Sequence, residues 1–440
     1  MVVVLIVVAV VLALLAAVHW YVWRRLVRDT SMPGSLARRV GTVLVWLLPL
    51  LSVGALVSGR AGAPFWLERV LAWPGYLWLA VLLYLVLALG VGEIVRAVWL
   101  RRLKARAPEP PVRDEAAPAA AERAPVGAGL GEKPPTRPLP GTGSQGPGTA
   151  DPSPDGEAHA KSEIPRRMFV SRAVGGSAAA LALGTVGYGT YGVLRGPRVK
   201  RVTVPLAKLP RRAHGFRIAV VSDIHLGPVL GRAHTQRIVD TINATSPDLI
   251  AVVGDLVDGS VADLGSAAAP LAQLQARHGA FFVTGNHEYF SGAEEWVQHV
   301  RELGLRPLEN QRTEIGGTAG FDLAGVNDVA GESEGDGPDF GKALGDRDPA
   351  RAAVLLAHQP VVIHDAVDHG VDLQLSGHTH GGQLWPGNYL AELANPTVAG
   401  LERYGDTQLY VTRGAGAWGP PVRVGATSDI TVVQLAARQA

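Results

Sequence analysis

The chain has 440 residues, of which 47% are hydrophobic, and a formal net charge of +2. No nucleic-acid partner is implied by the sequence. The sequence contains no cysteine, which excludes disulfide bonds, thiolate metal ligands and a cysteine nucleophile.

The first hundred residues contain three apolar segments, each near the length of about 20 residues that crosses a bilayer. They cover residues 2–20, 40–57 and 76–95. We predict that residues 1–104 form three transmembrane helices; buried core helices are the alternative. A fourth apolar segment, residues 173–194, is rich in glycine and alanine and is predicted to be a further membrane anchor. A buried helix of a soluble domain is the alternative there.

Residues 105–165 are dominated by proline, glycine, alanine and charged residues. This composition buries too little apolar surface to offset the entropy of ordering, so we predict a disordered linker. The fourth anchor, residues 166–195, begins with Arg166-Arg167, and this start looks like a twin-arginine export motif. A pair of cytoplasmic anchor charges is the other interpretation.

Basic residues in short loops mark the cytoplasmic side of a membrane. They are concentrated after the first and third predicted helices, as Arg24, Arg25, Arg28, Arg38, Arg39, Arg101, Arg102, Lys104 and Arg106. We therefore predict a multi-pass protein of the cell membrane whose last domain, residues 196–440, is extracytoplasmic. A basic run at 195–201 favours the opposite side, but large domains translocate largely regardless of charge.

From about residue 216 the sequence changes to short β-rich runs separated by amphipathic segments. Buried strands are predicted at residues 217–222, 249–253, 280–284, 353–357 and 371–375. Helices are predicted near 234–244, 294–303 and 360–369, and further strands at 321–326, 408–412 and 430–435. This order predicts an α/β fold, a four-layer αββα sandwich with a mixed sheet, preceded by the transmembrane helices.

Polar residues with metal-ligating side chains follow the predicted strands. Four clusters are present, together with a lone His358: Asp223-Ile224-His225, Gly254-Asp255-Leu256-Val257-Asp258, Gly285-Asn286-His287-Glu288 and Ser376-Gly377-His378-Thr379-His380-Gly381-Gly382-Gln383. Residues at the carboxyl ends of neighbouring strands converge in the crevice where open α/β sheets bind ligands. The clusters therefore indicate one site.

These five elements, in this order, resemble the calcineurin-like metallophosphoesterases over residues 214–436. Within that superfamily the chain is most similar to the membrane-associated bacterial branch, because of Gly-His-Thr-His-Gly-Gly-Gln at 377–383 and the terminal stretch at 409–432. The resemblance implies two divalent metal ions bridged by Asp255. Asp223, His225 and His380 would complete one metal site, and Asn286, His358 and His378 the other.

Carboxylate, imidazole and carboxamide ligands without thiolate suit manganese, iron or zinc. The resemblance implies in-line attack of a metal-bound hydroxide on phosphorus. It also makes His287 the proton donor to the leaving group, with Asp258 as its partner. A simple turn residue before Gly259 is the alternative for Asp258.

The resulting hypothesis is a membrane-anchored, dinuclear metal-dependent phosphohydrolase. Its substrate is a phosphoester or pyrophosphate, and a lipid-linked one is favoured because the anchor holds the site near lipid headgroups. One alternative is a broad phosphodiesterase acting on soluble nucleotides or wall-polymer phosphodiesters. Another is a non-catalytic metal-binding scaffold. The sequence indicates neither the native metal pair nor the oligomeric state.

Overall fold

The structure is a computed structural model that describes residues 2–105, 166–317 and 320–438. Its N-terminal part consists of four helices long and apolar enough to cross a membrane. They are α1 (Val2–Trp23), which continues into a π-helix (Arg24–Arg28), α2 (Leu36–Val57), α3 (Phe65–Ala105) and α4 (Arg166–Leu194). The four predicted spans are thus helical. The predicted linker, apart from Ala105, lies outside the described residues, and the domain boundaries stay a prediction.

Helices α2 and α3 form a close antiparallel pair around Gly75. A side-chain carbon at this position would lie 2.6 Å from the carbonyl oxygen of Leu51, so only glycine permits the contact. The Ser52 hydroxyl donates a hydrogen bond to the Gly75 carbonyl at 2.8 Å, and the Tyr76 hydroxyl donates to the Ala55 carbonyl at 3.1 Å. The pair and its turn therefore form a defined unit, which we call the α2–α3 hairpin (residues 55–76).

The remainder of the chain forms two six-stranded sheets. Across the first sheet lie β1 (Arg198–Leu206), β12 (Asp429–Ala437), β2 (Arg217–Val221), β3 (Leu249–Val253), β4 (Ala280–Val283) and β5 (Arg306–Pro307). Across the second lie β10 (Gly400–Tyr404), β11 (Thr407–Val411), β9 (Leu373–Ser376), β8 (Ala353–Leu356), β7 (Phe321–Gly325) and β6 (Gln311–Ile315).

Both sheets are mixed. Strands β2 to β5 are parallel, while β12 runs antiparallel to β2 and parallel to β1. In the second sheet β7, β8, β9 and β11 are parallel, and the edge strands β6 and β10 are antiparallel to their neighbours. The sequence predicts a mixed sheet within the sandwich, and both sheets of the sandwich are mixed.

Helices cover the outer face of each sheet: α5 (Arg232–Ala244), α6 (Val261–Ala268) and α8 (Ala293–Glu302) on the first, and α9 (Phe340–Leu344) and α10 (Ile363–Asp368) on the second. Two further helices, α7 (Asn286–Ser291) and α11 (Gly387–Ala394), follow strands β4 and β9 in the chain. Val220 of β2 lies in the core between the sheets, whereas its neighbours Ala219 and Val221 pack beneath α5, α6 and α8. A third core joins the second sheet to α9 and α10. The predicted four-layer αββα sandwich is confirmed.

Strand β1 is not among the predicted strands. It is an edge strand whose first half carries exposed basic side chains, and only Val204 and Leu206 are buried along it. Residues 202–206 alternate apolar and polar side chains, but this run is short and follows four residues of which three are basic. Its parallel pairing with β12 places it at the sheet edge, directly after α4.

The αββα domain packs directly on the membrane helices. Phe65, at the start of α3, packs against the core beneath α5, α6 and α8. Val422 is buried among side chains of α3 and α4, such as Trp78 and Val186. At Gly189 of α4, a side-chain carbon would lie 2.7 Å from Val422, so glycine allows this close approach. Helices and domain therefore share one continuous packed interface.

Candidate metal centre

The predicted site residues lie at the carboxyl ends of five parallel strands. They follow β2 (Asp223, His225), β3 (Asp255, Asp258), β4 (Asn286, His287), β8 (His358) and β9 (His378, His380). The first three strands belong to one sheet and the last two to the other. Because both sheets end at the same edge, the structure brings all nine side chains together, as the strand positions predict.

The loops that carry these residues have an unusual backbone. Positive φ angles are uncommon for residues other than glycine, because the side chain crowds the backbone. Among the described residues eight non-glycine positions have one, and five of these are site residues: Asp223 (52°), His225 (49°), Asp255 (53°), His378 (70°) and His380 (53°). The backbone is therefore strained where it aims these side chains inward.

One group of side chains consists of Asp223, His225 and His380, whose potential ligand atoms all lie within 4.8 Å of one another. The Nε2 atoms of His225 and His380 are 2.9 Å apart. His380 Nε2 also lies 3.3 Å from Asp223 Oδ1. These are the residues that the sequence assigns to the first metal.

A second group consists of Asp255, His358 and His378, again within 4.8 Å. Asn286 joins it, since its Oδ1 lies 3.0 Å from His378 Nδ1. Asp255 stands between the two groups: its Oδ2 is 3.2 Å from His358 Nε2 and 3.7 Å from His225 Nε2. This is the position that a bridging carboxylate would need.

The donor set fits divalent metal ions. The Val253 carbonyl can only accept, so His358 donates from Nδ1 at 2.9 Å and its Nε2 keeps a free lone pair. That Nε2 is buried and lacks a hydrogen-bond partner among the described residues. His225 is oriented in the same way, because its Nδ1 lies 2.8 Å from the Asp258 carboxylate. An outer hydrogen bond that leaves the second ring nitrogen free is typical of metal-ligating histidine.

Asp258 serves two histidines through one oxygen atom. Its Oδ1 lies 2.8 Å from His225 Nδ1 and 2.7 Å from His287 Nδ1. Burial raises the pKa of Asp258, but the adjacent His225 and His287 outweigh this effect and lower the pKa to about 2. The ionised carboxylate therefore keeps a proton on Nδ1 of both rings. The sequence predicts the partnership with His287 only, so the contact with His225 is an addition.

Glu288 is a buried residue to which the sequence gives no defined role. Its carboxylate accepts three backbone hydrogen bonds, from the N–H groups of Gly285 (2.6 Å), Leu256 (2.7 Å) and Asp255 (3.0 Å). Burial and the nearby Asp255 raise the pKa of Glu288 to about 7. The side chain thus joins the loop after β3 to the loop after β4, and it positions Asp255 through the backbone.

Replacing Glu288 by alanine is expected to destabilise the αββα domain by about 3 kcal/mol or more, because three buried N–H groups lose their acceptor. The melting temperature should fall by about 6 °C or more, measured on the full chain in detergent. Glu294→Ala, which removes an exposed carboxylate from α8, is the matched control and should change little. Equal melting temperatures for the two variants would contradict this role.

Arg423 is a second residue that sequence motifs do not identify. It is buried, and its guanidinium lies 3.1 Å from His380 Nδ1 and donates to the His380 carbonyl at 2.9 Å. It also donates to the carbonyl of Gly416 at 2.8 Å. Burial lowers the pKa of Arg423 to about 10, so the side chain remains a cation near neutral pH. Arg423 therefore helps to position His380, and it belongs to a segment that packs on α4.

A cavity of about 500 Å³ lies beside His225 and the His287–Asp258 pair. One wall contains His225, Asp258 and His287, together with Phe290 and Trp418. The opposite wall is formed by the α2–α3 hairpin, through Ala55, Leu56, Arg60, Phe65, Glu68 and Tyr76. The hairpin contribution was not predicted, because nothing in a single sequence indicates that a turn near residue 60 contacts a loop near residue 290.

A sequence profile described as calcineurin-like phosphoesterase matches residues 216–382. An uncharacterized metallophosphoesterase of Helicobacter pylori is 38% identical over 259 residues, which cover 58% of this chain and 68% of that protein. The chain belongs to the calcineurin-like phosphoesterase family. This confirms the predicted superfamily.

Two further relatives show the range of the family. A metallophosphoesterase of Aquifex aeolicus is 33% identical over 242 residues, covering 54% of this phosphoesterase and 91% of the relative. A protein of Danio rerio named transmembrane protein with metallophosphoesterase domain is 39% identical over 259 residues, covering 56% of this phosphoesterase. The match spans 59% of the Danio rerio protein and 57% of its Bos taurus counterpart.

Proposed function

We propose that this phosphoesterase is a membrane-anchored, dinuclear phosphohydrolase whose substrate is a lipid-linked phosphoester or pyrophosphate. The observation that carries this proposal is the cavity next to His287, since it is lined by one candidate metal ligand, His225, by the His287–Asp258 pair and by the α2–α3 hairpin. Asp223, His225 and His380 would hold one ion and Asn286, His358 and His378 the other. Asp255 would contact both.

Two divalent ions in these sites would neutralise the phosphate charge and lower the pKa of a bound water to about 7. The side chains of the protein supply the proton chemistry. With Nδ1 of His287 held at Asp258, only Nε2 is free to give a proton to the leaving oxygen. The contact with Asp258 also fixes the orientation of the His287 ring.

The cavity matches an amphiphilic substrate. Its walls combine acidic and metal-binding groups with apolar side chains such as Leu56, Phe65, Phe290 and Trp418. Arg60 is the one lysine or arginine among its described lining residues. A phosphate at the metal centre would leave the rest of the molecule between Trp418 and the hairpin. Because the hairpin consists of the ends of two membrane helices, that part of the substrate would lie at the membrane surface.

The test compares substrates on the full chain reconstituted in lipid bilayers with added Mn²⁺. Phospholipids and a lipid pyrophosphate are offered beside an aryl phosphodiester and a nucleotide diester. Arg60→Ala should reduce lipid turnover about tenfold, corresponding to one lost charge contact, and leave aryl turnover unchanged. Arg69→Ala, an exposed hairpin residue outside the cavity lining, is the matched control.

Two other outcomes of this comparison would each contradict part of the proposal. Turnover of soluble diesters without lipid turnover would contradict the lipid-linked substrate and favour the alternative of a broad phosphodiesterase. Metal binding without turnover of any substrate would contradict the enzyme and favour a non-catalytic scaffold.

We further propose that the αββα domain lies outside the cytoplasm, with an N-outside start and four crossings. The support is the concentration of basic residues after the first and third helices. The packing of the hairpin on the domain is compatible with this arrangement, since both then lie on the same side. A reporter that is active only outside the cytoplasm, fused after residue 200, is expected to be active. An inactive fusion beside an active cytoplasmic reporter at the same position would reverse the orientation.

A further inference from the structure

Helix α11 (Gly387–Ala394) presents an apolar surface that no part of the described chain covers. It contains no buried residue. Tyr389, Leu390 and Leu393 are 58%, 71% and 84% exposed, and Trp385 just before the helix is 49% exposed. An amphipathic helix of a soluble domain normally turns its apolar face to the core. A cluster of this kind on a surface marks a site of interaction.

The start of this surface is attached to a membrane helix. The Tyr84 hydroxyl of α3 donates a hydrogen bond to the Trp385 carbonyl at 2.9 Å. Tyr84 lies eight residues beyond Tyr76, where the apolar segment of α3 begins. At a rise of 1.5 Å per residue this is about 12 Å along the helix, within its lipid-crossing part. Trp385 is therefore held beside the apolar part of α3, on the side of the domain that faces the membrane helices.

A second attachment comes from α4. The Trp385 N–H donates to the Val424 carbonyl at 2.9 Å, and Val424 packs with Leu384 against the core shared by α3 and α4. The adjacent Val422 and Arg423 contact Gly189 of α4 so closely that a side-chain carbon there would lie 2.8 Å from the Arg423 carbonyl. The segment that precedes α11 is thus fixed to two membrane helices through different residues.

We propose that Trp385 and α11 form an interfacial helix that inserts Tyr389, Leu390 and Leu393 into the boundary between lipid headgroups and acyl chains. The occupant of this surface is the bilayer, because the surface is continuous with the lipid-crossing helices. Glu392 is the one charged residue of α11, so binding is driven by apolar burial and not by attraction to anionic lipids. This placement depends on insertion of the helices in a membrane and not on the substrate proposed above.

Helix α11 also contacts a loop of the candidate metal centre. A side-chain carbon at Gly382 would lie 2.2 Å from the backbone nitrogen of Asn388, so α11 rests on the loop that carries His378 and His380. The interfacial helix therefore fixes the edge of the candidate metal centre relative to the lipid surface.

The absence of cysteine from the sequence makes site-directed spin labelling of the full chain straightforward. Single variants Leu390→Cys and Leu393→Cys are labelled and reconstituted in phosphatidylcholine vesicles. Arg277→Cys is the control, because Arg277 precedes β4 and so lies at the end of the strands away from the candidate metal centre. Collision rates are measured with oxygen, which partitions into lipid, and with a water-soluble nickel chelate.

We expect the ratio of oxygen to nickel collisions to be at least severalfold higher at Leu390 and Leu393 than at Arg277. Both target residues are highly exposed, so labelling should not unfold the protein, and an unchanged melting temperature checks this. Nickel access at all three positions would overturn the proposal. So would protection of both α11 labels from both reagents, which would show that a second protein surface covers the helix.

Discussion

Replacing Asp255 by asparagine is expected to reduce turnover of an aryl phosphodiester by at least about 1000-fold. The Oδ2 atom of Asp255 faces both histidine groups, at 3.2 Å from His358 and 3.7 Å from His225. Its Oδ1 accepts the backbone N–H of His287 at 2.9 Å. An amide in this position offers one oxygen, no negative charge and an NH₂ group that cannot ligate a cation.

This variant is measured on the full chain in detergent with added Mn²⁺, and its bound metal is counted by elemental analysis. Chelator treatment of the parent protein should abolish turnover to the same extent. Asp263→Asn is the matched control, because Asp263 lines the same cavity but belongs to no group of potential metal ligands among the described residues. Turnover of the Asp255 variant within tenfold of the parent would refute the bridging role.

Replacing His287 by alanine has the second largest expected effect, a loss of about 100- to 10,000-fold in kcat for substrates with an alkoxide leaving group. Its Nδ1 lies 2.7 Å from the ionised Asp258, so Nε2 is the nitrogen that would donate the proton in the proposed mechanism. An acidic nitrophenol leaves without a proton, so the loss with a nitrophenyl ester should be far smaller.

The dependence on leaving group separates acid catalysis from binding. A series of aryl and alkyl esters should show a steeper dependence of kcat on leaving-group pKa in the variant than in the parent protein. His299→Ala, on α8 and outside the cavity lining, serves as the control and should leave the series unchanged. An equal loss with every ester would assign His287 to phosphate binding.

Much of the fold is predictable because the central strands are short, apolar and regularly spaced. The runs at 218–221, 249–253 and 353–356 are buried along their whole length, so their composition alone identifies them. Edge strands such as β1 and β10 are largely exposed and carry charged side chains. Their position in the sheet depends on contacts with other strands, so no local sequence pattern predicts it.

The candidate site likewise contains some residues that the sequence identifies and others that it does not. Asp255 and His380 stand directly after buried strands in recognisable clusters, so their convergence follows from the parallel sheet. Arg423 acts on His380 from 43 residues away and from a loop that carries no motif. Glu288 sits within a motif, but its three backbone contacts depend on how two loops pack. The hairpin wall requires the docking of membrane helices on the domain, which no spacing in the sequence indicates.

The two walls of the cavity come from segments that are far apart in the chain. Arg60 and Tyr76 of the hairpin are synthesised first, and His287 and Trp418 follow more than 200 and 300 residues later. A ribosome must therefore pass residue 418 before the cavity can close. A truncated product would retain its membrane helices but present an open metal centre or none, and a soluble fragment that begins after α4 would lack one wall. Substrates measured on such a fragment would therefore report on a cavity that lacks the wall formed by the α2–α3 hairpin.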